Sequence, residues 1–166
     1  MSRGFVKEGD QEEPLMVPPR AALPEGATNY VTPEGLELLK KEMQELEKQR
    51  RNIEAENETE KRRTQAFIDG KMKLLSERIQ TARLLNPEEQ PENEVRFGAK
   101  VKVENLDNHQ KQEFQIVGVD EANIRLKKIA FVAPIARAIT GKKVGETAQL
   151  KLGTETRQLK ILKVEY

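Results

Sequence analysis

The feature that most constrains this chain is a shift of one residue in its apolar pattern. Thr32-Pro33-Glu34 is a strong helix start, with Thr at the N-cap, Pro at the first helical position and an acid in the first turn. Asn86-Pro87 is an equally clear stop, and no proline interrupts the stretch between. Leu36, Leu39, Met43, Leu46 and Ile53 follow heptad spacing, with Arg50 in the vacant slot. Ile68, Met72, Leu75, Ile79 and Ala82 repeat that spacing one residue out of frame. A continuous helix would carry Lys71 and Arg78 into its own seam. Folded back, the two series face each other as 36/85, 39/82, 43/79, 46/75, 50/72 and 53/68. Residues 30–86 are therefore expected to form an antiparallel helical hairpin with its apex near Glu60-Lys61. The competing unbroken helix has two points for it: the apex lacks Gly and Pro, and Glu58 and Arg62 are spaced to pair along one helix.

After the helices the period changes to two. Val101 and Val103, Phe114 and Ile116, Ile124 and Leu126, Ala148, Leu150 and Leu152, and Leu159 and Ile161 alternate with polar residues. This is the pattern of a half-buried antiparallel sheet. Gly153-Thr154 separates two such runs and predicts a hairpin turn. The segment from Ala133 to Ile139 breaks the alternation, and Pro134 at its head suits a short helix. The fold class expected is α+β, with the β domain at 95–166 and a polar linker at 87–94. Residues 1–29, punctuated by Pro14, Pro18, Pro19 and Pro24, are expected to be an extended, mobile tail.

Charge narrows the function. The 166 residues carry 29 Lys+Arg against 28 Asp+Glu, a net of +1, so direct binding to nucleic acid by phosphate neutralisation is disfavoured. Any nucleic-acid contact would be indirect, within a larger complex. Without cysteine there are no disulfides and no thiolate metal sites. No apolar run approaches the ~18 residues of a membrane span, and the first ten residues lack the apolar core of a signal peptide. The expectation is a cytoplasmic monomer. His109, the only histidine, lies in a polar turn without a carboxylate or nucleophile fixed beside it. No phosphate-cradling glycine loop or histidine metal spacing is present, so a self-contained enzyme, an intrinsic metal or a cofactor is not expected. The strongest charge cluster is Glu54, Glu56, Glu58 and Glu60, followed at once by Lys61-Arg62-Arg63. An apex at Glu60-Lys61 would set the acids at the end of one helix and the bases at the start of the next, both against the helix dipole. A solvated turn in a Glu-rich chain explains such a run more readily than a functional tip does, because charge runs are common.

The stretch Tyr30-Val-Thr-Pro-Glu-Gly35-Leu-Glu-Leu-Leu-Lys-Lys-Glu-Met43 resembles the opening of the Gre family of transcript-cleavage and elongation factors. So do Phe97-Gly98-Ala-Lys-Val101, Phe114-Gln-Ile-Val117-Gly118-Val-Asp120-Glu121 and Pro134-Ile-Ala136-Arg137-Ala138. Lys143-Val-Gly145-Glu and the closing Ile161-Leu-Lys-Val-Glu-Tyr166 complete a likeness that runs over residues 30–166. The resemblance implies a coiled-coil hairpin and a C-terminal domain of the FK506-binding-protein type. It further implies docking on bacterial RNA polymerase at the rim of the secondary channel, through Asp120, Glu121, Pro134, Ile135, Ala136 and Arg137. Cleavage-competent members carry a Gly-Asp-x-x-Glu-Asn tip that helps hold the polymerase's own Mg²⁺. Here Glu56-Asn57 matches the Glu-Asn pair, but Ile53 stands at the Asp position and Asn52 at the Gly. Glu54 is one residue out of register, about 100° round a helix. The arms are also shorter than in cleavage factors by about two turns each, which withdraws the tip by about 10 Å. The first reading is a polymerase-binding regulator with weak or no cleavage stimulation that competes for the channel. The second is an active stimulator using Glu54 or Glu56. The third is a peptide-binding or prolyl-isomerase module, poorly supplied with aromatics at Phe97, Phe114, Phe131 and Tyr166. A structural coiled-coil dimer is a fourth.

Overall fold

The computed structural model describes residues 16–166. A two-residue strand β1 (Tyr30–Val31) leads into helix α1 (Pro33–Arg51), and helix α2 (Glu58–Thr81) returns to strand β2 (Arg83–Leu84). β1 and β2 pair in parallel, so the chain enters and leaves the hairpin side by side. Thr32 caps α1 by accepting from the Gly35 N–H at 2.9 Å. The hairpin seam buries Leu39, Leu46, Ile68 and Leu75, with Leu36, Met43, Ile53, Met72, Ile79 and Ala82 half-buried against them. These are the residues of the two offset heptad series; the frame slip marks a reversal of the chain. Leu85 is the exception. It packs on the β-domain core instead of facing Leu36. Arg50, in the vacant heptad slot, crosses the arms to Asp69, with Nε 2.6 Å from Oδ1.

The apex lies earlier than expected. α1 ends at Arg51, α2 begins at Glu58, and residues 52–57 make the turn. Lys48, Arg50 and Arg51 therefore occupy the last turn of α1, and Glu58 and Glu60 the first turn of α2. Glu58 and Glu60 thus favour the dipole they meet, the reverse of the expected placement, while Lys61, Arg62 and Arg63 still follow them near the start of α2. The turn needs neither Gly nor Pro because Asn52 closes one helix and Asn57 opens the next, accepting from the Glu60 N–H at 2.8 Å.

The β domain is a five-stranded sheet of order β5-β4-β3-β7-β6, from β3 (Lys100–Asn105), β4 (Lys111–Val117), β5 (Lys128–Ala130), β6 (Thr147–Leu152) and β7 (Glu155–Glu165). Val101, Val103, Phe114, Ile116, Ala148, Leu150, Leu159 and Ile161 point into one core, covered by Ala136 and Ile139 of helix α3 (Pro134–Ile139). The turn at Gly153-Thr154 joins β6 to β7 as its sequence predicts. Two expectations fail. The sheet is not wholly antiparallel, since β5 pairs with β4 in parallel. Ile124 and Leu126 do not lie on a strand: they flank Arg125 in a single 3-10 turn, where Ile124 is 90% exposed and Leu126 64%. Asn123 starts that turn by accepting from the Arg125 N–H, and Lys127 ends it at φ 58°, so spacing by two imitated alternation.

The described part of the N-terminal segment, from Met16 onward, has no regular structure and is not a free tail. Arg20 reaches both Glu42 and Asp120, and Asn29 is buried with its Nδ2 2.9 Å from the Arg78 carbonyl. Pro14 lies outside the described residues.

Candidate functional site

Two regions hold the residues that the sequence singles out: the hairpin tip, and the β-domain surface around the 118–121 turn and α3.

At the tip, Glu54, Glu56, Glu58 and Glu60 are all exposed. They are not equivalent. Glu60 turns its Oε2 back to the Glu56 N–H at 3.1 Å, while Asn57 caps the Glu60 N–H, giving a reciprocal lock at the start of α2. The Glu56-Asn57 pair is thus built into the capping of a helix. Glu54 and Glu56 lie in the turn itself, with Glu58 on the first turn of α2. Ile53 packs its side chain into the seam, so the position offers an apolar contact where a carboxylate would have faced solvent. Among the described residues no group of three or more His, Cys, Asp or Glu side chains is arranged to hold a metal ion. His109 stands in the exposed turn after β3 at φ 59°, with Nδ1 3.6 Å from Glu104 Oε2.

The six residues singled out on the β domain divide sharply. Pro134 and Arg137, three residues apart on α3, are both exposed, Ile135 is half-buried against the sheet core, and Ala136 is wholly buried. Asp120 and Glu121 turn inward to the root of the hairpin. The Glu121 side chain, 3% exposed, accepts from the Thr32 hydroxyl through Oε1 and from Lys128 Nζ at 3.0 Å through Oε2. Asp120, 8% exposed, accepts from Arg20 Nε through Oδ1 and from Arg78 Nη1 through Oδ2, each at 3.0 Å. Burial works to lower the Arg20 pKa, but the carboxylates of Glu42 and Asp120 outweigh it and hold the guanidinium above its ordinary range.

Sequence reasoning missed this junction. Thr32, Gly35, Tyr30, Gly118, Asp120 and Glu121 belong to two separate stretches singled out earlier, and the fold presses those stretches together. A Cβ on Gly35 would stand 2.6 Å from Glu121 Oε1, and one on Gly118 would stand 2.6 Å from the Tyr30 carbonyl oxygen. Tyr30, Phe97 and Phe131 complete the joint as a triangle of rings with centroids 5.6 to 5.8 Å apart, tilted or edge-on. The sequence signal was the recurrence of small and acidic residues in a turn facing a Thr N-cap, which no local pattern connects across such a separation.

Comparison with known proteins follows this division. Residues 90–166 match the family described as transcription elongation factor, GreA/GreB, C-terminal. A protein named transcription elongation factor GreA from Thermodesulfovibrio yellowstonii is 33% identical over 154 residues, covering 82% of this chain and 96% of its own. Its namesake from Neisseria meningitidis serogroup A is 35% identical over 153 residues, with the same two coverages, 82% and 96%. Among solved structures, GreA factor homolog 1 of Thermus thermophilus aligns over 84% of this chain and 100% of its own at 18% identity and a TM-score of 0.38. The GreA/GreB factor from Nitrosomonas europaea aligns over 84% and 99% at 17% identity and a TM-score of 0.41.

Proposed function

The chain belongs to the GreA/GreB family of transcription elongation factors, and from that premise we propose that it binds bacterial RNA polymerase through the β domain and offers its hairpin to the secondary channel, with weak or no stimulation of RNA cleavage. The observation that carries the second half is the tip. Ile53 is drawn into the seam, Asn57 and Glu60 are engaged in capping, and the free carboxylates sit at the end of short arms. Nineteen residues of α1 at 1.5 Å each give an arm of about 30 Å.

The relatives support the length argument. The match to the Thermodesulfovibrio factor has 154 positions but takes up only 82% of 166 residues, about 136, so about 18 positions have no counterpart here. We place them in the two arms, a little over two turns in each. Metal ligation needs an oxygen within about 2.1 Å. A carboxylate set back by two turns acts on the polymerase-bound Mg²⁺ through its field alone, weakened by salt over a Debye length. The prolyl-isomerase reading loses ground for a separate reason: the Phe97, Phe131 and Tyr30 rings are packed on one another, and the Tyr166 hydroxyl bonds to the backbone of Glu94 and Arg96.

The test is a stalled, backtracked polymerase complex titrated with this protein, alone and against a cleavage-competent relative. Little cleavage alone and a dose-dependent loss of the relative's cleavage are expected. Robust cleavage by this protein, abolished by Glu56→Gln, would show that the tip reaches the metal and would end the reading.

A further inference from the structure

We propose that residues 17–21 form a strap that fixes the angle between the hairpin and the β domain. The reason is a closed ring of contacts. Arg20 holds Glu42 of α1 with its terminal nitrogens and Asp120 of the β domain with Nε. Asp120 passes through its other oxygen to Arg78 of α2, and Arg78 returns to the strap by donating to the Ala21 carbonyl. Strap, β domain and second arm thus close a ring, and Glu42 ties the first arm to the strap. The three charged groups at the centre are largely shielded, with side-chain exposures of 19% for Arg20, 14% for Arg78 and 8% for Asp120. Such pairs, unlike surface ion pairs, are held by geometry and screened little by salt.

A second contact, further along the arm, is independent of charge. Val17 lies against Gly70 in the middle of α2, where an added Cβ would stand 2.5 Å from Val17 Cγ2. Gly is a poor choice in a helix interior, and here its missing side chain is the notch that seats the strap. Pro18 follows and lines one side of a groove shared with Leu46, Gln49, Lys71 and Leu74 of the two arms. Pro18 and Pro19 restrict the unfastened segment as well, which lowers the entropy lost on docking. The hairpin meets the β domain only at its root, through Thr32–Glu121, the Tyr30, Phe97 and Phe131 rings and Arg78–Asp120, and a long arm levers on that small joint as on a pivot. A strap reaching from mid-arm to Asp120 braces it against that pivot. This inference concerns the free protein and stands whether or not the polymerase reading does.

The chain has no cysteine, so cysteines placed at exposed Lys48 and Lys151 would carry two unique spin labels on hairpin and β domain of the full chain. Pulsed dipolar spectroscopy then reads the spread of the distance between them. Gly70→Ala raises helix propensity and removes the notch, so the distribution should broaden at least twofold while helix content by circular dichroism does not fall. Adding Val17→Ala restores the space, leaving that residue's Cβ 3.5 Å from the new methyl, and should narrow the distribution again. Arg20→Ala should broaden it by the other route, with Asp120 still paired to Arg78. If Gly70→Ala and Arg20→Ala both leave the width unchanged, the strap does not set the angle and the proposal is wrong.

Discussion

Thr32 does two jobs with one hydroxyl: it accepts from Gly35 to start α1 and donates to Glu121 of the β domain. Replacing it by Val keeps the shape, removes the cap and leaves a buried carboxylate oxygen short of a partner. Loss of the cap costs about 1 kcal/mol and the orphaned acceptor about 1–3 kcal/mol. Thr32→Val should therefore lower the urea midpoint by an amount equivalent to about 3 kcal/mol with the slope unchanged, whereas Thr32→Ser should retain most of the stability. Half of this was legible in the sequence. Thr-Pro-Glu announced a helix start, but nothing within a few residues of Thr32 foretold Glu121 as its partner. For the same reason Asp120 and Glu121, read as a docking surface, are the residues whose charges the structure spends inside the chain.

The hairpin was legible as an element because heptads report burial directly, and its two offset frames could be satisfied only by a reversal. Its apex was not, because the turn between Arg51 and Glu58 is made by Asn caps and not by Gly or Pro. The facing pairs fix the midpoint of the seam without fixing where either helix stops. The caps themselves can be tested. Asn57→Ala should cost about 1 kcal/mol, confined to the first turn of α2, and be seen as about fivefold faster amide exchange at Glu60 with mid-helix amides unaffected. Asn57→Asp should preserve protection, since a carboxylate there caps as well and favours the dipole. In the sheet, the 3-10 turn at Ile124–Leu126 shows the complementary failure, in which spacing by two arose without a strand.

For the molecule as a whole, the surface left for a large partner on α3 is narrower than the six residues read from the sequence. Ala136 is core and Ile135 is half-buried, so changing either would confuse binding with stability. Pro134 and Arg137 are exposed and free of that difficulty. If the β domain docks there, Pro134→Ala with Arg137→Glu should weaken polymerase binding by tenfold or more, about 1.4 kcal/mol, at an unchanged melting temperature. Unchanged binding would move the docking face elsewhere, with the exposed Ile124 and Leu126 turn next to be tried.

The ribbon of β1 and β2 has a consequence for how such a molecule can vary. Because Tyr30 pairs with Arg83 and Val31 with Leu84, both ends of the arm are pinned at one spot. Whatever lies between can be cut or extended without moving the anchor. The seam accepts only equal changes in the two helices, in whole heptads of about 10 Å, since any other step would rotate an apolar stripe out of its groove. Reach is thereby an adjustable quantity, graduated in fixed steps and separable from attachment. Two lineages sharing one base could differ in what their tips touch by no more than the insertion or loss of seven residues on each side.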